Sequence, residues 1–453
     1  MVKRGAVKER FDADYQKLVN STLFRFKYPL MSIESLFFVR DGDHNKFPEE
    51  EYSDENNGIR YLRVQDIKEG KIINERPIYV SKQYYNTIKR SHVKSGYVLF
   101  SIMASVGSVA IYPDGADDCT ANRAVGILVP KSEKIISQYF QAFCDTEIGQ
   151  KLFETLKKGG VQQRLNLSDV NKLKIPIPAI DIQSQIVAIY TQAYEIKRQK
   201  EAEAKALLDS IDAYLLKLLG IIFPEKVETK PVFYTRFKNV QGNRFDPFYH
   251  KVEFEINHKS VLKGLFEVKP LSQIIIKLIK GRLPKDSEKE GECKVVQINS
   301  IQMDGSIDLV NLLTSKPIFG NDQRLQKNDN LIVITGATIG KIGFWQYEGD
   351  YFLGGDVVKF QCVENVNPYF IYSYLRSQIV QTELKRNVTG ATNGHLSPSD
   401  IEKIQIPVPP LLVQNEIAEH IQKLRAKAKA LEDEAKEILE KAKIEIEKMI
   451  LGE

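Results

Sequence analysis

The chain has 453 residues, of which 43% are hydrophobic and 27% are charged. This composition excludes an intrinsically disordered protein, and the length allows about two or three domains. No apolar run approaches the roughly 20 residues of a membrane helix, and the charged first residues are not followed by the apolar core of a signal peptide. We therefore expect a cytoplasmic protein with no membrane partner. The formal charge of +5 permits a nucleic-acid partner but gives little support for one.

The cysteines and histidines argue against a metal centre. The four cysteines form no Cys-x-x-Cys pair, and the six histidines form no His-x-x-x-His pair. Such spacings are typical of zinc sites, and a disulfide framework needs more cysteines in a shorter chain. The sequence therefore predicts no metal ligands and no disulfide framework.

The most informative feature is an internal repeat. Segments of the first half return in the same order in the second half, at offsets of 231 to 235 residues. Both copies end in Leu-Gly, at Gly220 and Gly452. A unit of about 210 residues is therefore written twice. The matching segments are 10–15 with 244–249, 61–67 with 295–301, 98–101 with 331–334, 104–107 with 337–340, 165–170 with 396–401, and 175–178 with 406–409.

Each copy begins with a globular part that ends at a proline element. Short β-branched runs at 96–102 and 331–334, bounded by Gly, Asn and Asp, predict strands. The Ile-Pro-x-Pro elements then place abrupt boundaries at Pro178 and Pro409, because proline disfavours helix at its own position and at the residue before it.

A long helix with a heptad pattern follows each proline element. The pattern breaks at Lys200 and Glu203 in the first helix, and the second helix keeps it throughout. Two such helices in one chain favour an antiparallel coiled coil, although each helix could instead pack on its own domain. The predicted seam residues are Ile182, Ile186, Ile189, Ala193, Ile196, Leu207, Ile211, Tyr214 and Leu218, and then Ile417, Ile421, Leu424, Ala428, Leu431, Ala435, Ile438 and Ala442.

This order resembles the DNA specificity subunit of type I restriction–modification enzymes. The resemblance rests on the Arg-Phe-Asp openings at 10–12 and 244–246, the Leu-x-x-Ser-Asp turns, the Ile-Pro-x-Pro junctions with Gln183 and Gln414, and the helices after them. It covers the chain from Arg10 to Gly452. No single motif is specific, and the duplicated order is the strong signal.

The resemblance implies a fold of the α+β class with pseudo-two-fold symmetry. Two target-recognition domains would be separated by an antiparallel coiled coil of two long helices. The expected bounds are 1–178 for the first recognition domain, 179–222 for the first long helix, 223–409 for the second recognition domain and 410–453 for the second long helix.

The resemblance also implies the partners. Such a subunit binds double-stranded DNA at an asymmetric two-part site, together with two adenine methyltransferase subunits and two restriction subunits. S-adenosylmethionine, ATP and Mg would bind to those partners, and no cofactor is expected in this chain. The alternative is a DNA-binding regulator or scaffold with a tandem fold and no modification partner.

Catalytic motifs are approached but not completed. Segments 246–249 and 367–370 lack the second proline of the Asn/Asp-Pro-Pro-Tyr/Phe loop that an adenine methyltransferase needs. The segment 336–341 resembles a phosphate-binding loop, but its glycine spacing is one residue short and no Ser or Thr follows Lys341. We expect structural roles for all three segments and no catalytic residue.

Candidate DNA-binding residues follow from base chemistry. Arg pairs with guanine and Asn or Gln with adenine, whereas Lys, Arg, Ser and Thr hold phosphates. For each residue, an exposed polar loop without a DNA contact is the alternative. The candidates in the first copy are Arg63, Gln65, Asn122, Arg123, Lys157, Lys158, Gln162, Gln163 and Arg164, and those in the second copy are Gln297, Asn299, Lys341, Thr392, Asn393 and His395.

Overall fold

The chain forms two compact units, each built from both sequence copies. The computed structural model describes residues 26–45, 49–103, 107–157, 164–222, 234, 240, 244–390 and 394–452. Unit 1 contains Met1–Ala202 and Leu431–Glu453, and unit 2 contains Glu203–Ala430. Each unit therefore holds the first part of one long helix and the last part of the other.

Among its described residues, unit 1 contains two larger β-sheets and two two-stranded ones. One of the larger sheets has four strands in the order β10-β9-β12-β2, and the other has five in the order β3-β7-β4-β11-β8. The run Val98–Ser101 is buried along its whole length, as its β-branched and aromatic residues predict. The strands are β1 (Leu30–Ser32), β2 (Phe37–Asp41), β3 (Tyr52–Ser53), β4 (Ile59–Leu62), β5 (Ile67–Lys68), β6 (Lys71–Ile72), β7 (Tyr79–Val80), β8 (His92–Val93), β9 (Val98–Ser101), β10 (Val109–Ile111), β11 (Cys119–Ala121), β12 (Val125–Pro130) and β13 (Lys174–Pro176).

The helices of unit 1 lie mainly after the sheets in the chain. Short 3-10 helices occur at Glu49–Glu51, Val64–Asp66 and Lys89–Ser91. The α-helices are α1 (Ile33–Leu36), α2 (Lys82–Thr87), α3 (Ser137–Asp145), α4 (Glu147–Leu156), α5 (Leu167–Lys172) and the first part of α6 (Ile180–Leu218).

Unit 2 repeats this plan. Its four-stranded sheet has the order β15-β21-β18-β19, which corresponds strand for strand to β2-β12-β9-β10. Its second sheet has the order β17-β16-β20, and β16 pairs with β20 in parallel, as β4 does with β11. The strands are β14 (Val268–Pro270), β15 (Ile275–Lys280), β16 (Lys289–Val296), β17 (Leu313–Ser315), β18 (Asn330–Val333), β19 (Ile342–Phe344), β20 (Tyr351–Leu353), β21 (Val357–Cys362) and β22 (Gln405–Pro407).

The helices of unit 2 also follow the plan of unit 1. Short 3-10 helices occur at Phe248–His250, Leu271–Gln273, Asp286–Glu288 and Asn321–Gln323. The α-helices are α7 (Val252–Leu262), α8 (Pro368–Leu375), α9 (Gln378–Asn387), α10 (Pro398–Glu402) and the first part of α11 (Leu411–Leu451).

One hydrophobic core joins the sheet of each unit to its part of the long helices. In unit 1, Phe100 of the sheet and Phe143 of α3 share a buried cluster with Ile186 of α6 and Ile446 of α11. The corresponding cluster of unit 2 includes residues of β18, α8, α6 and α11. The helices α3 and α8 therefore connect each sheet to the helix pair.

The helices α6 and α11 pack antiparallel in both units. In unit 1, Ala193 packs with Leu439 and Ala442, and the later residue Lys200 forms an ion pair with the earlier residue Glu434. In unit 2, Glu203 bonds to Lys427 at 3.0 Å, and the rings of Tyr214 and His420 lie 4.1 Å apart. In each unit, later residues of α6 contact earlier residues of α11. The predicted antiparallel helix pair is therefore confirmed within each unit.

The seam of α6 differs from the predicted one. Its buried residues are Gln183, Ile186, Tyr190, Ala193 and Lys197 in unit 1, followed by Ala204, Ile211 and Leu215 in unit 2. The predicted residues Ile182, Ile189, Ile196 and Leu207 are half-buried beside this seam, and Leu218 is exposed. The predicted residues Ile186, Ala193 and Ile211 are buried in this seam. At the alternate positions of unit 1 the buried residue lies one further on, at Gln183, Tyr190 and Lys197, and two of these are polar residues that a hydrophobic pattern discounts. The helix itself is continuous through Lys200 and Glu203.

The seam of α11 follows the predicted register. Residues Ile417, Ile421, Ala428, Leu431, Ala435 and Ala442 are buried, whereas Leu424 and Ile438 are half-buried.

In each unit, a buried glutamine near the start of a long helix is hydrogen-bonded to the backbone of the globular part before that helix. The Gln183 side chain accepts a hydrogen bond from the Ile136 amide at 2.9 Å and donates to the carbonyls of Lys134 and Pro178 at 2.8 and 2.9 Å. Gln414 accepts from the Asn367 amide at 2.8 Å and donates to the Pro409 carbonyl at 2.7 Å. The glutamines of the two junction motifs are therefore structural joints.

Candidate nucleic-acid interface

Five chain segments meet at one end of the sheets in unit 1, and one of them is the pair Arg164 and Leu165 before α5. The other four are the turn after β2, the residue after β4, the turn between β11 and β12, and the residues after β9. Backbone hydrogen bonds of 2.7 to 3.0 Å join them, from Gly42 to Val125, Asp43 to Ala121, Asn122 to Leu62, Ile102 to Ala124 and Leu165 to Ile102. We call residues 42–43, 63, 102–103, 122–124 and 164–165 the recognition edge of unit 1.

Unit 2 has the same frame of hydrogen bonds. Five bonds of 2.8 to 3.1 Å join the equivalent residues, from Gly281 to Val357, Arg282 to Leu353, Gly354 to Val296, Ile334 to Asp356 and Leu396 to Ile334. Residues 281–282, 297, 334–335, 354–356 and 395–396 form the recognition edge of unit 2. The two edges are equivalent residue by residue.

A glycine makes each frame possible. A Cβ atom at Gly42 would lie 2.2 Å from the Ala121 carbonyl oxygen, and one at Gly281 would lie 1.8 Å from the Gly354 carbonyl oxygen. No side chain fits at these distances, so the two chain segments can cross only where one of them is glycine.

The side chains on the two frames differ in chemistry. A carboxylate, three guanidinium groups and an amide of unit 1 are replaced in unit 2 by a guanidinium group, an amide, an imidazole and two glycines. The equivalent pairs are Asp43 and Arg282, Arg63 and Gln297, Asn122 and Gly354, Arg123 and Gly355, and Arg164 and His395.

The recognition edge of unit 1 borders a cleft of about 410 Å³. Asp43 lies in its buried wall, where its carboxylate accepts hydrogen bonds from Tyr84 at 2.6 Å and Tyr61 at 3.4 Å. Burial, together with the bond to Asp43, raises the pKa of Tyr84 to about 12, so that its hydroxyl stays protonated and donates. The cleft is lined by Asp43, His44, Asn45, Tyr52, Tyr61, Arg63, Ile78, Asn122 and Arg123.

Arg63 and Gln65 are engaged with their own surroundings. Arg63 donates to the Asp66 carboxylate at 3.3 and 3.4 Å and to the Arg76 carbonyl at 2.6 Å. With its amide oxygen turned toward Arg63, Gln65 accepts from both terminal nitrogens at 3.1 and 2.9 Å. This network leaves Arg63 few donors for a base.

Arg123 and Asn122 are more accessible. Arg123 is exposed and has no hydrogen-bond or ion-pair partner among the described residues. The Asn122 side-chain oxygen accepts from the Ala124 amide at 3.1 Å, which leaves its amino group for other contacts. The structure therefore brings together Arg63, Asn122, Arg123 and Arg164 of the predicted residues.

The predicted candidates between 157 and 164 are described only at Lys157 and Arg164. Lys157 lies 3.8 Å from Glu154, and Arg164 is exposed and forms a β-bridge with Met103. The predicted residues Lys158, Gln162 and Gln163 lie outside the described residues.

In unit 2 the predicted residues fall into two groups. Gln297 and His395 lie on the recognition edge, and His395 pairs through its backbone with Thr335 and Thr389. Asn299 is exposed beyond the edge, and the Lys341 ammonium donates to the Ile301 carbonyl at 2.9 Å. The predicted residues Thr392 and Asn393 lie outside the described residues.

The family model for the type I restriction modification DNA specificity domain matches the chain twice, at residues 30–206 and 264–441. The chain belongs to this family. Each match of the specificity domain contains one whole recognition edge. The repeat predicted from the sequence is thus also two copies of one family domain.

Named relatives agree with this membership. The type I restriction enzyme MjaX specificity subunit of Methanocaldococcus jannaschii is 24% identical over 408 residues, which cover 87% of this chain and 86% of that protein. The EcoBI specificity subunit of Escherichia coli is 24% identical over 168 residues, 37% of this chain and 35% of that protein. The prediction of a specificity subunit, and not of the methyltransferase, agrees with both names.

A solved structure shares the fold. It comes from a study described as the complex assembly and conformational transition of the type I R-M system, has a TM-score of 0.51 and 15% identity, and covers 93% of this chain and 96% of that one. Within the described residues, no group of side chains suits a metal ion, and no helix is long and apolar enough to cross a membrane.

The motifs that approach catalytic sequences have structural roles in this specificity-domain chain. Asn367 caps the N-terminus of α8 through the amides of Tyr369 and Phe370, and Pro368 occupies the first turn. Asp246 accepts from the Tyr249 amide at 3.0 Å in the same manner. The segment 336–341 is the turn between β18 and β19, where Gly340 has a φ of +86°.

The Arg-Phe-Asp opening of the second copy binds the C-terminal end of α9. Arg244 donates to the carbonyls of Asn387 and Val388 at 3.0 and 3.1 Å and is paired with Asp246 at 2.7 Å. It thereby caps the C-terminal end of α9, where carbonyl groups lack helical partners. The first opening, at 10–12, lies outside the described residues.

Sequence reasoning missed Asp43 and Arg282 because they lie far in sequence from the other edge residues. A signal was present, since glycine precedes each of them at Gly42 and Gly281, equivalent positions in the two copies.

Proposed function

We propose that this chain selects the DNA sequence for a type I restriction–modification enzyme. It binds double-stranded DNA at an asymmetric site in two parts, and each recognition domain contacts one part through its recognition edge and adjoining loop. The observation that carries the proposal is that two equivalent frames, joined by the same five backbone hydrogen bonds, bear different side chains. Two copies of one fold with different contact residues suit two different half-sites.

The chemistry would be supplied by partner subunits. Two adenine methyltransferase subunits and two restriction subunits are expected, with S-adenosylmethionine, ATP and Mg bound to them. The family membership supports such an assembly, as do the relatives that are named as subunits of restriction enzymes. With DNA as its substrate, the complex would act in the cytoplasm.

The contacts would divide into two kinds. Edge residues with free hydrogen-bonding groups would reach base edges in the major groove, whose donor and acceptor pattern distinguishes all four base pairs. Lys157 and the neighbouring loop residues would anchor phosphates and fix the register. The domain bounds 1–178, 179–222, 223–409 and 410–453 remain our assignment of these parts.

Methylation mapping tests the proposal. The full chain is co-expressed with its cognate methyltransferase subunit in cells that lack adenine methylation of their own, and methylated adenines are located by sequencing. We expect a two-part motif with one modified adenine on each strand. Methylation that does not depend on this chain, or a chain that binds DNA tightly alone and never co-purifies with a methyltransferase, would instead support a stand-alone regulator.

A further inference from the structure

The equivalent frames allow the two recognition edges to be compared position by position. At the position after β4, unit 1 has Arg63 and unit 2 has Gln297. At the second residue of the turn before β12 or β21, unit 1 has Arg123 and unit 2 has Gly355. Whether each side chain can contact a base depends on what already occupies its donors and acceptors.

In unit 1 the guanidinium group of Arg63, the residue after β4, is already bound to other residues of the same unit. Asp66 accepts from the Arg63 backbone at 2.8 Å and also binds its guanidinium group. Arg123, by contrast, is exposed at the mouth of the cleft without a partner among the described residues. None of its five donors is used by a described residue.

In unit 2 the situation is reversed. Ser300 replaces Asp66 and accepts only from the Gln297 backbone, at 3.2 Å. The Gln297 amide group has no hydrogen-bond partner among the described residues. Its side chain passes over Gly354, where a Cβ atom would lie 2.9 Å from Gln297 Cγ. Gly354 thus has no side chain that could cover Gln297, which is half-buried.

We propose that Arg123 contacts a guanine in the first half-site and that Gln297 contacts an adenine in the second. A guanidinium group donates two parallel hydrogen bonds to O6 and N7 of guanine, and a primary amide exchanges two with N6 and N7 of adenine. The inference rests on the proposed function and deepens it, because it names one specificity-determining residue in each domain and the base that it selects.

The test changes each side chain into one that fits another base. Arg123→Gln should shift one base pair of the first half-site from guanine toward adenine. Gln297→Glu should shift one base pair of the second half-site from adenine toward cytosine, because a carboxylate accepts from the cytosine amino group. Arg123→Ala and Gln297→Ala remove the contact without offering another. They should lower discrimination at the same base pair by roughly 5- to 150-fold.

Matched controls carry the same chemical changes outside the edges. Gln273 is exposed just before β15, at the end of that strand opposite Gly281, and Arg198 is exposed on α6. Gln273→Glu and Arg198→Gln should leave both half-sites unchanged. All variants are assayed in the methyltransferase complex by methylation sequencing, so that a change in motif is separated from a change in total activity.

The outcomes separate the inference from the function on which it rests. If the wild-type complex methylates no two-part motif, the proposed function is wrong. If it does, but the Arg123 and Gln297 variants keep the wild-type motif, these residues do not select bases and the inference is overturned. It is also overturned if both variants alter the same half-site, or if alanine leaves discrimination unchanged.

Discussion

The two recognition domains share a backbone arrangement and differ in the side chains of their recognition edges. Gly42 and Gly281 allow the same chain crossing, and Gln183 and Gln414 form the same joint to a long helix. Yet Asp43 stands where unit 2 has Arg282. The backbone bonds of each frame do not depend on the side chains that point away from it. One frame can therefore accept unrelated contact residues without loss of the fold.

A second difference concerns buried charge. Lys197 is a buried seam residue of unit 1, and its partner Glu69, at 2.6 Å, is 72% exposed. Lys359 lies in the sheet of unit 2, and its partner Asp329, at 2.9 Å, is fully buried. The two lysines are about equally buried, but only the second would leave a buried charge behind if it were removed.

The largest expected effect comes from ending the chain after Gly220. Unit 1 then loses residues 431–452, including Ile446 and Ile450, which complete its core. The α6 residues beyond Ala202 carry a similar apolar pattern and can take that place in a second copy. We expect the fragment to form a dimer, measured by light scattering. A folded fragment that stays monomeric at high concentration would contradict the expectation that α6 of one copy completes the core of another.

Next in size is the loss of Lys359. Lys359→Met should lower the free energy of unfolding by about 3 to 5 kcal/mol, because Asp329 is left as an uncompensated buried charge. The matched change Lys197→Met should cost less than about 1 kcal/mol, because Glu69 stays in water. Urea unfolding measures both.

The pH dependence of Lys359→Met gives a second check. Burial already raises the pKa of Asp329 above its usual value. A carboxyl group with a raised pKa in the folded state disfavours folding at high pH, and this penalty disappears as the pH falls and the group is protonated. The stability deficit of the variant should therefore shrink in acid. A constant deficit would assign it to lost packing.

Replacing Gln183 or Gln414 should lower the free energy of unfolding in proportion to the number of hydrogen bonds that each side chain makes. Gln183→Met loses three bonds and Gln414→Met loses two, so we expect losses of about 3 and about 2 kcal/mol, at about 1 kcal/mol for each bond. Denaturant unfolding of the full chain measures both values. Equal losses, or none, would contradict the expectation that the loss of stability follows the number of hydrogen bonds.

The smallest expected effect is that of Lys341, a predicted DNA contact. Its ammonium group is bound to the Ile301 carbonyl, and the equivalent residue in unit 1 is Ser108. Lys341→Met should change stability by less than about 1 kcal/mol and leave DNA affinity unchanged in a salt titration. A reduced dependence of affinity on salt would instead show that Lys341 contacts a phosphate.

Much of the fold was predictable, and less of the site was. The two predicted long helices are present, at Ile180–Leu218 and Leu411–Leu451, and the predicted run 331–334 overlaps the strand Asn330–Val333. The seam of α6 was predicted only in part, because Gln183 and Lys197 are polar and bind partners elsewhere in unit 1, at Ile136 and Glu69.

The sequence by itself determined the duplicated order of the chain, the proline boundaries and the helices, because these depend on local conformational preferences and on periodicity. Only the tertiary structure decided which polar side chains are free. The Tyr84 hydroxyl donates a hydrogen bond to the Asp43 carboxylate, which lies 41 residues away in the sequence. The Lys341 ammonium donates to the Ile301 carbonyl, 40 residues away. Arg123 is left without a described partner on the same edge. Hydrogen-bond partners depend on how segments far apart in the sequence pack together. Neither the composition nor the spacing of residues in the sequence specifies which of these segments meet.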